Sequence, residues 1–194
     1  ALYLRDEEGG APWSPTPGPA PGPGRYEARH GFGYTRWRHA SHGLEQEVLA
    51  FVPHADPVKV VRLRVTNRTD RPRRLAAYWY AHWVLGVFPW ETAATVETRV
   101  ADGAIRARNP AGGEFAPLVA VAAAVAPDPA RVSCTAERRE VLGPLGDASA
   151  PASVTARAAS ASDAPRPTAI PSRYVLSGAP GRSVLCATSR ATSS

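Results

Sequence analysis

VKVVRLRVTNRTDRPRRLAAYWYAHWVLG, residues 58–86, is the stretch whose reading decides the fold. Val61, Leu63 and Val65 alternate with Arg62, Arg64 and Thr66. Beyond the polar block Asn67-Arg68-Thr69-Asp70-Arg71-Pro72, Leu75, Ala77, Trp79, Ala81 and Trp83 alternate with Ala76, Tyr78, Tyr80 and His82. β-Branched and aromatic residues at every second position, interrupted by turn formers, predict two antiparallel strands joined as a hairpin. A strand that sets its large apolar side chains on one side must cover that side, so Val61, Leu63, Val65, Leu75, Trp79 and Trp83 are expected in the core. The rest of the chain has to supply strands to pair with these two.

With 20 prolines and 16 glycines in 194 residues and few helix-period patterns, the chain reads as all-β. Its length suffices for one domain of sandwich size with a substantial core. The formal charge of +6 invites a polyanion, but the basic residues are dispersed among acids such as Glu45, Glu47, Asp56 and Glu97, which argues against nucleic acid. Cys134 and Cys186 lie far apart in unlike surroundings and predict no disulfide. No apolar run approaches the roughly 20 residues of a membrane span and no signal peptide opens the chain, so a cytoplasmic segment without membrane contact is expected. The lack of methionine and the opening in mid-pattern at Ala1-Leu2-Tyr3-Leu4 read as a piece of something longer.

Further strands are predicted at residues 1–5, 26–30, 34–39, 44–52, 95–101, 104–109 and 118–125, with one or two more within 132–142. Asp102-Gly103 is the sharpest hairpin signal. Residues 12–24, PWSPTPGPAPGPG, hold too much proline to join a ladder and are expected to cross the surface, with Trp13 pinning the loop to the sandwich. Asp6, Glu7 and Glu8 read as a solvated turn. Gly31-Phe32-Gly33 is a tight turn with no helix pattern after it, which removes the nucleotide reading. His30, His39 and His42 lack a suitably spaced carboxylate or cysteine to complete a metal site. Asn67-Arg68-Thr69 fits a glycosylation sequon but reads as a turn, and Trp90, beside Glu91, is expected on an exposed loop. Residues 1–143 thus form the expected domain. Residues 144–194, mostly Ala, Ser, Thr, Pro and Arg with Tyr174 the sole aromatic, form a low-complexity tail expected to be disordered or poorly packed, either a linker or the non-native product of a frame change.

The succession LYLRDEEGGAPWSPTP, YEARHGFGYTRWRHASHGLEQEVLAFVP, DPVKVVRLRVTNRTDRPRRLAAYWYAHWVLG and ARNP resembles the N-terminal β-sandwich of glycoside hydrolase family 94. That family holds cellobiose and chitobiose phosphorylases, and the wording is most similar to the phosphorylase-like region of cyclic β-1,2-glucan synthases. Several blocks in the right order over residues 2–142 are far more specific than one motif, and the resemblance fades in the tail.

The resemblance implies an antiparallel β-supersandwich similar to galactose mutarotase, joined in family members to an α/α-barrel that this chain lacks. It implies a parent reaction that transfers a glucosyl unit from a β-glucoside to phosphate with inversion, with inorganic phosphate as co-substrate and no cofactor. One carboxylic acid protonates the leaving oxygen, and phosphate takes the place of the activated water. The family's acid is an aspartate of the helical barrel; no position here matches it, so no catalytic residue is assigned and the chain alone is expected to be inactive. The implied partners are a β-glucan or β-glucoside, the helical catalytic domain and a second copy in a homodimer, while any tether of the parent to the inner membrane lies in segments outside this chain. Arg5, Asp6, Trp13, Ser14, His30 and Tyr34, with the turn at 31–33, match loops that reach toward an active site. An Arg–Asp pair can hold sugar hydroxyls, and an aromatic face can cover a pyranose ring. An autonomous carbohydrate-binding or assembly module is the alternative, since a fold does not fix a function.

Overall fold

The computed structural model describes residues 1–126, 132–155, 173–178 and 182–193, the last two segments by backbone alone. The period-two patterns become β1 (Leu2–Asp6), β2 (Tyr26–Gly31), β3 (Tyr34–Ser41), β4 (Leu44–Phe51), β5 (Val58–Asn67), β6 (Arg73–Trp79), β7 (Glu97–Ala101), β8 (Ala104–Arg108), β9 (Leu118–Val125) and β10 (Val132–Ser133), followed by β11 (Arg173–Gly178) and β12 (Arg182–Ser193). The larger sheet runs β2-β3-β4-β5-β12-β9-β8-β7 and the smaller β1-β6-β11-β10, with antiparallel pairing throughout. The chain is an all-β supersandwich.

Residues 58–86 depart from expectation in one respect. β5 and β6 are both strands, but they do not form a hairpin. β5 pairs with β4 and β12, whereas β6 pairs with β1 and β11 in the other sheet. The block 68–72 therefore crosses between layers. Asn67 shapes the start of the crossing: its Oδ1 accepts from Thr69 N at 3.0 Å and its Nδ2 donates to Arg71 O at 2.7 Å. With both edges of β5 occupied, the inward residues Leu63 and Val65 meet Leu75 and Ala77 across the interior. The alternation is the same for a hairpin and for this crossing, because each buries every second side chain. β6 also ends earlier than its pattern: its last ladder pair is Leu2↔Trp79, so Trp83 lies outside the strand and is half-buried.

Two cores follow. Leu2, Leu4, Leu75 and Ala77 of the smaller sheet pack on Leu44, Val48, Leu63 and Val65 of the larger, with Trp13 inserted from its loop. The other face of the smaller sheet buries Tyr3, Ala76 and Tyr78 under Val154. That residue belongs to a short helix, Ala152–Thr155, so the packed body passes the expected boundary at Gly143. Small residues suffice there because they need only cover one face of a sheet that is already paired: Pro151 and Val154 are fully buried, and Tyr3 Oη donates to Ala148 O at 2.7 Å. Of the rest of the tail, residues 156–172, 179–181 and 194 lie outside the described residues, while the backbone of 173–178 and 182–193 forms β11 and β12, strands paired within the two sheets where a disordered tail was expected.

Among the smaller elements, Asp102 (φ 52°) and Gly103 (φ 70°) make the predicted two-residue hairpin turn between β7 and β8. Residues 132–142, expected to be strand, hold β10 and then a helix, Arg138–Leu142. Thr135 Oγ1 accepts from Glu137 N at 3.0 Å and donates to Glu140 at 2.9 Å, which fixes the helix entry where strand pairing has stopped. Cys134 is a free thiol, and the side chain of Cys186 lies outside the described residues. Among the described residues no helix is long and apolar enough to cross a membrane.

Candidate functional site

Four of the residues matched to active-site loops are gathered around β1, all buried. The Arg5 Nη2 donates to Glu7 Oε1 at 2.8 Å and its Nη1 to Val154 O at 2.9 Å. Asp6 is not in a solvated turn: its Oδ2 receives the Arg73 guanidinium, and its Oδ1 accepts from Glu8 N at 3.0 Å. Glu8 in turn pairs with Arg71. Trp13 exchanges two backbone hydrogen bonds with Leu4, so one residue of the proline-rich loop does join a ladder and covers the free edge of β1. Its indole N–H donates to Gln46 Oε1 at 2.8 Å and its ring stacks on His42 with centroids 4.2 Å apart, which makes it the pin its setting suggested. Ser14 is fully buried, its Oγ accepting from Ala20 N at 3.2 Å.

His30 and Tyr34 stand elsewhere. They flank the β2–β3 turn, where Phe32 is fully exposed and Tyr34 half-exposed. Arg73, which holds Asp6, also donates to His42 O at the other end of β3. From Tyr34 to Ser41 the strand runs seven residue steps, about 23 Å at about 3.3 Å per residue. The six residues therefore fall into two separate groups.

A different group converges past the end of β6. Tyr80, His82 and Trp83 form one wall of a cleft of about 500 Å³; Trp90 and Pro89 of a one-turn helix, Pro89–Thr92, form the second; Glu137 and Arg138 close the third. The loop between the first two walls is fixed by local contacts. Asn109 Nδ2 donates to Leu85 O at 2.7 Å, and Gly86 lies so close to Thr92 that a Cβ there would stand 2.5 Å from its Cγ2. Phe88 stacks on Trp90 with centroids 4.6 Å apart and planes 12° from parallel, leaving Trp90 73% exposed. Arg138 Nε donates to Tyr80 Oη at 3.3 Å. Among the described residues, neither the His82 imidazole, the Glu137 carboxylate nor the indole N–H groups of Trp83 and Trp90 has a hydrogen-bond partner.

The cleft offers flat apolar faces beside open donors and acceptors. Sequence reasoning had marked Trp90 and placed Trp83 in the core; it missed Tyr80, His82, Glu137 and Arg138. The signal within reach was the aromatic density of Tyr78-Trp79-Tyr80-Ala81-His82-Trp83, more than one buried strand face can absorb.

A larger hollow, about 840 Å³, lies on the outer face of the larger sheet between Arg25, Glu27, Arg38, Glu45, Glu47 and Arg68. Its carboxylates are already engaged: Arg38 reaches Glu47 at 3.2 Å, Arg62 the same Glu47 at 3.6 Å and Arg68 Glu45 at 2.8 Å. Mutually neutralising side chains on an open sheet describe a solvated face, so the smaller cleft is the better candidate.

The glycosyl hydrolase 94 supersandwich domain matches residues 1–172, past the point at Leu142 where the resemblance was expected to fade. Over 157 residues the chain is 34% identical to the cyclic beta-(1,2)-glucan synthase NdvB of Rhizobium meliloti (strain 1021), covering 79% of this chain and 5% of that protein. It is 32% identical over 85 residues to the N,N'-diacetylchitobiose phosphorylase of Vibrio furnissii, covering 42% of this chain and 11% of the relative. It is 34% identical over 85 residues to the solabiose phosphorylase of Paenibacillus borealis, again covering 11% of the relative. The chain thus spans only a small part of the length of these relatives.

Proposed function

Because the chain belongs to glycosyl hydrolase family 94, as its supersandwich domain, we propose that it is the non-catalytic, carbohydrate-associated part of a glucan-processing phosphorylase or synthase. The parent reaction is glucosyl transfer between a β-glucoside and inorganic phosphate with inversion. The observation that carries this reading is the breadth of the match, residues 1–172 of 194, together with relatives named for glucan synthesis and for phosphorolysis.

The acids near β1 support the non-catalytic half of the proposal. A proton donor must reach the leaving oxygen of a bound substrate. Asp6 is buried against Arg73 and Glu7 is held by Arg5, so both face protein groups. In this reading a helical domain supplies the acid and the phosphate seat, a second copy completes a homodimer, and the assembly works in the cytoplasm. The test is release of glucose 1-phosphate from cellobiose or β-1,2-glucooligosaccharides by the 194-residue chain and by the full-length gene product. A proton donor contributes roughly two to four orders of magnitude in rate, so release is expected only from the full-length product; turnover by the chain alone overturns the proposal. The second reading, an autonomous carbohydrate-binding module, draws on the open cleft and is favoured if the full-length product is inactive while the isolated chain binds glucan.

A further inference from the structure

The cleft beyond β6 has the composition of a sugar site, and we propose that it binds a neutral β-linked glucooligosaccharide, with Trp90 and Trp83 as ring platforms and His82, Glu137 and Arg138 as hydroxyl partners. The β-glucosidic class rests on the function proposed above; the sugar itself is argued from the cleft. A pyranose ring presents flat C–H faces and a girdle of hydroxyls. The faces need aromatic surface, and the hydroxyls need groups that accept and donate at the edge of that surface. Trp90 is held by Phe88 behind it, so its face is set before any ligand arrives. Tyr80 is engaged by Arg138, which brings the guanidinium to the aromatic wall. Glu137 then supplies an acceptor beside that donor, and the opposite charges of the pair leave the site suited to an uncharged ligand.

The rival occupant is another folded domain seated on the same aromatics. Cores of protein interfaces are depleted in Glu and favour close apolar packing. Here Glu137, Arg138 and His82 are all exposed beside the aromatic rings. A volume of about 500 Å³ also falls among small-ligand sites, which span roughly 300–1,000 Å³.

The experiment is titration calorimetry of the 194-residue chain with β-1,2-, β-1,3- and β-1,4-linked glucooligosaccharides, with maltooligosaccharides as the α-linked control. Trp90→Ala and Glu137→Gln are run beside wild type, and thermal unfolding checks that each variant is folded. Binding of at least one β-linked series is expected, weakened roughly tenfold by Trp90→Ala, equivalent to about 1.4 kcal/mol, and less by Glu137→Gln, with both unfolding transitions unchanged. No heat from any β-linked series, equal affinity for the α-linked control, or full affinity in folded Trp90→Ala overturns the proposal. So does protection of Trp90 from iodide quenching in the sugar-free full-length gene product, which would mean that a neighbouring domain fills the cleft. If binding fails while the full-length product still releases glucose 1-phosphate, the cleft is wrong and the family role stands. If the cleft binds while the full-length product shows no phosphorolysis, the parent reaction is wrong and the site stands.

Discussion

Around β1, charged and aromatic side chains are buried and answered by other groups of the same chain; in the cleft beyond β6, similar side chains face solvent with open valences. Arg5, Asp6 and Trp13 each have a protein partner within 3.1 Å, and removing water from them is offset by those contacts. Trp90, His82 and Glu137 remain exposed. The same chemical alphabet thus serves two ends, and burial with satisfied partners distinguishes them. A tryptophan beside an arginine and an acid is not by itself a sugar site.

Substitutions should separate the two regions sharply. Asp6→Ala leaves the Arg73 guanidinium buried without its carboxylate and should cost about 3–5 kcal/mol, read from the urea midpoint. Trp13→Ala removes the inserted ring and its indole hydrogen bond and should cost a similar ~3–5 kcal/mol. In the cleft, Trp90→Ala should stay within about 0.5 kcal/mol of wild type, because its ring is already in water. A large loss there would break the contrast by making Trp90 structural.

Val154→Ala sharpens the boundary of the β1 region. Val154 covers Tyr3 and Tyr78 and is fully buried, so losing its methyl groups should cost about 2 kcal/mol. No loss would return residues 144–155 to the loose tail their composition suggested.

The smallest effect concerns pH. His42 is exposed on one side but stacks on Trp13, and this partial desolvation, then the nearby Arg73 charge, lower its pKa from its ordinary 6.5. The sign follows: the folded state prefers neutral His42, so this contribution is fully present above pH 6.5 and is lost as pH falls through the lowered folded value. His42→Asn keeps a residue that tolerates φ of 57° and removes the titration. The stability difference between wild type and His42→Asn, measured at pH 7 and pH 5, should move against wild type on acidification. A difference independent of pH would show that His42 does not sense the core around Trp13.

Strands and inward faces were legible because period-two alternation survives any arrangement that covers one side of a strand; Leu63, Val65 and Leu75 are buried as the pattern requires. Strand partnership was not legible. Whether β6 lies beside β5 or across from it is decided by β12, 115 residues after Asn67 at its first residue Arg182, and local spacing carries nothing about so distant a partner. The short helix Arg138–Leu142 was within reach: Arg138, Arg139, Glu140 and Leu142 are good helix formers, and the strand reading over 132–142 passed over them. The candidate site was legible only at Trp90. Its walls come from three stretches that converge after folding, and Glu137 and Arg138 sit in a segment that reads as strand.

The most direct test of the contrast uses the five tryptophans, Trp13, Trp37, Trp79, Trp83 and Trp90, each of which gives one indole N–H signal in a ¹⁵N-resolved spectrum. Titration with the tightest-binding β-linked glucooligosaccharide should shift the Trp90 and Trp83 signals progressively and leave Trp13 and Trp37 in place, with Trp13 also the slowest to exchange its proton for deuterium. Movement of Trp13 while Trp90 stays fixed would contradict the account, because it would put the ligand at β1 and leave the open cleft without one.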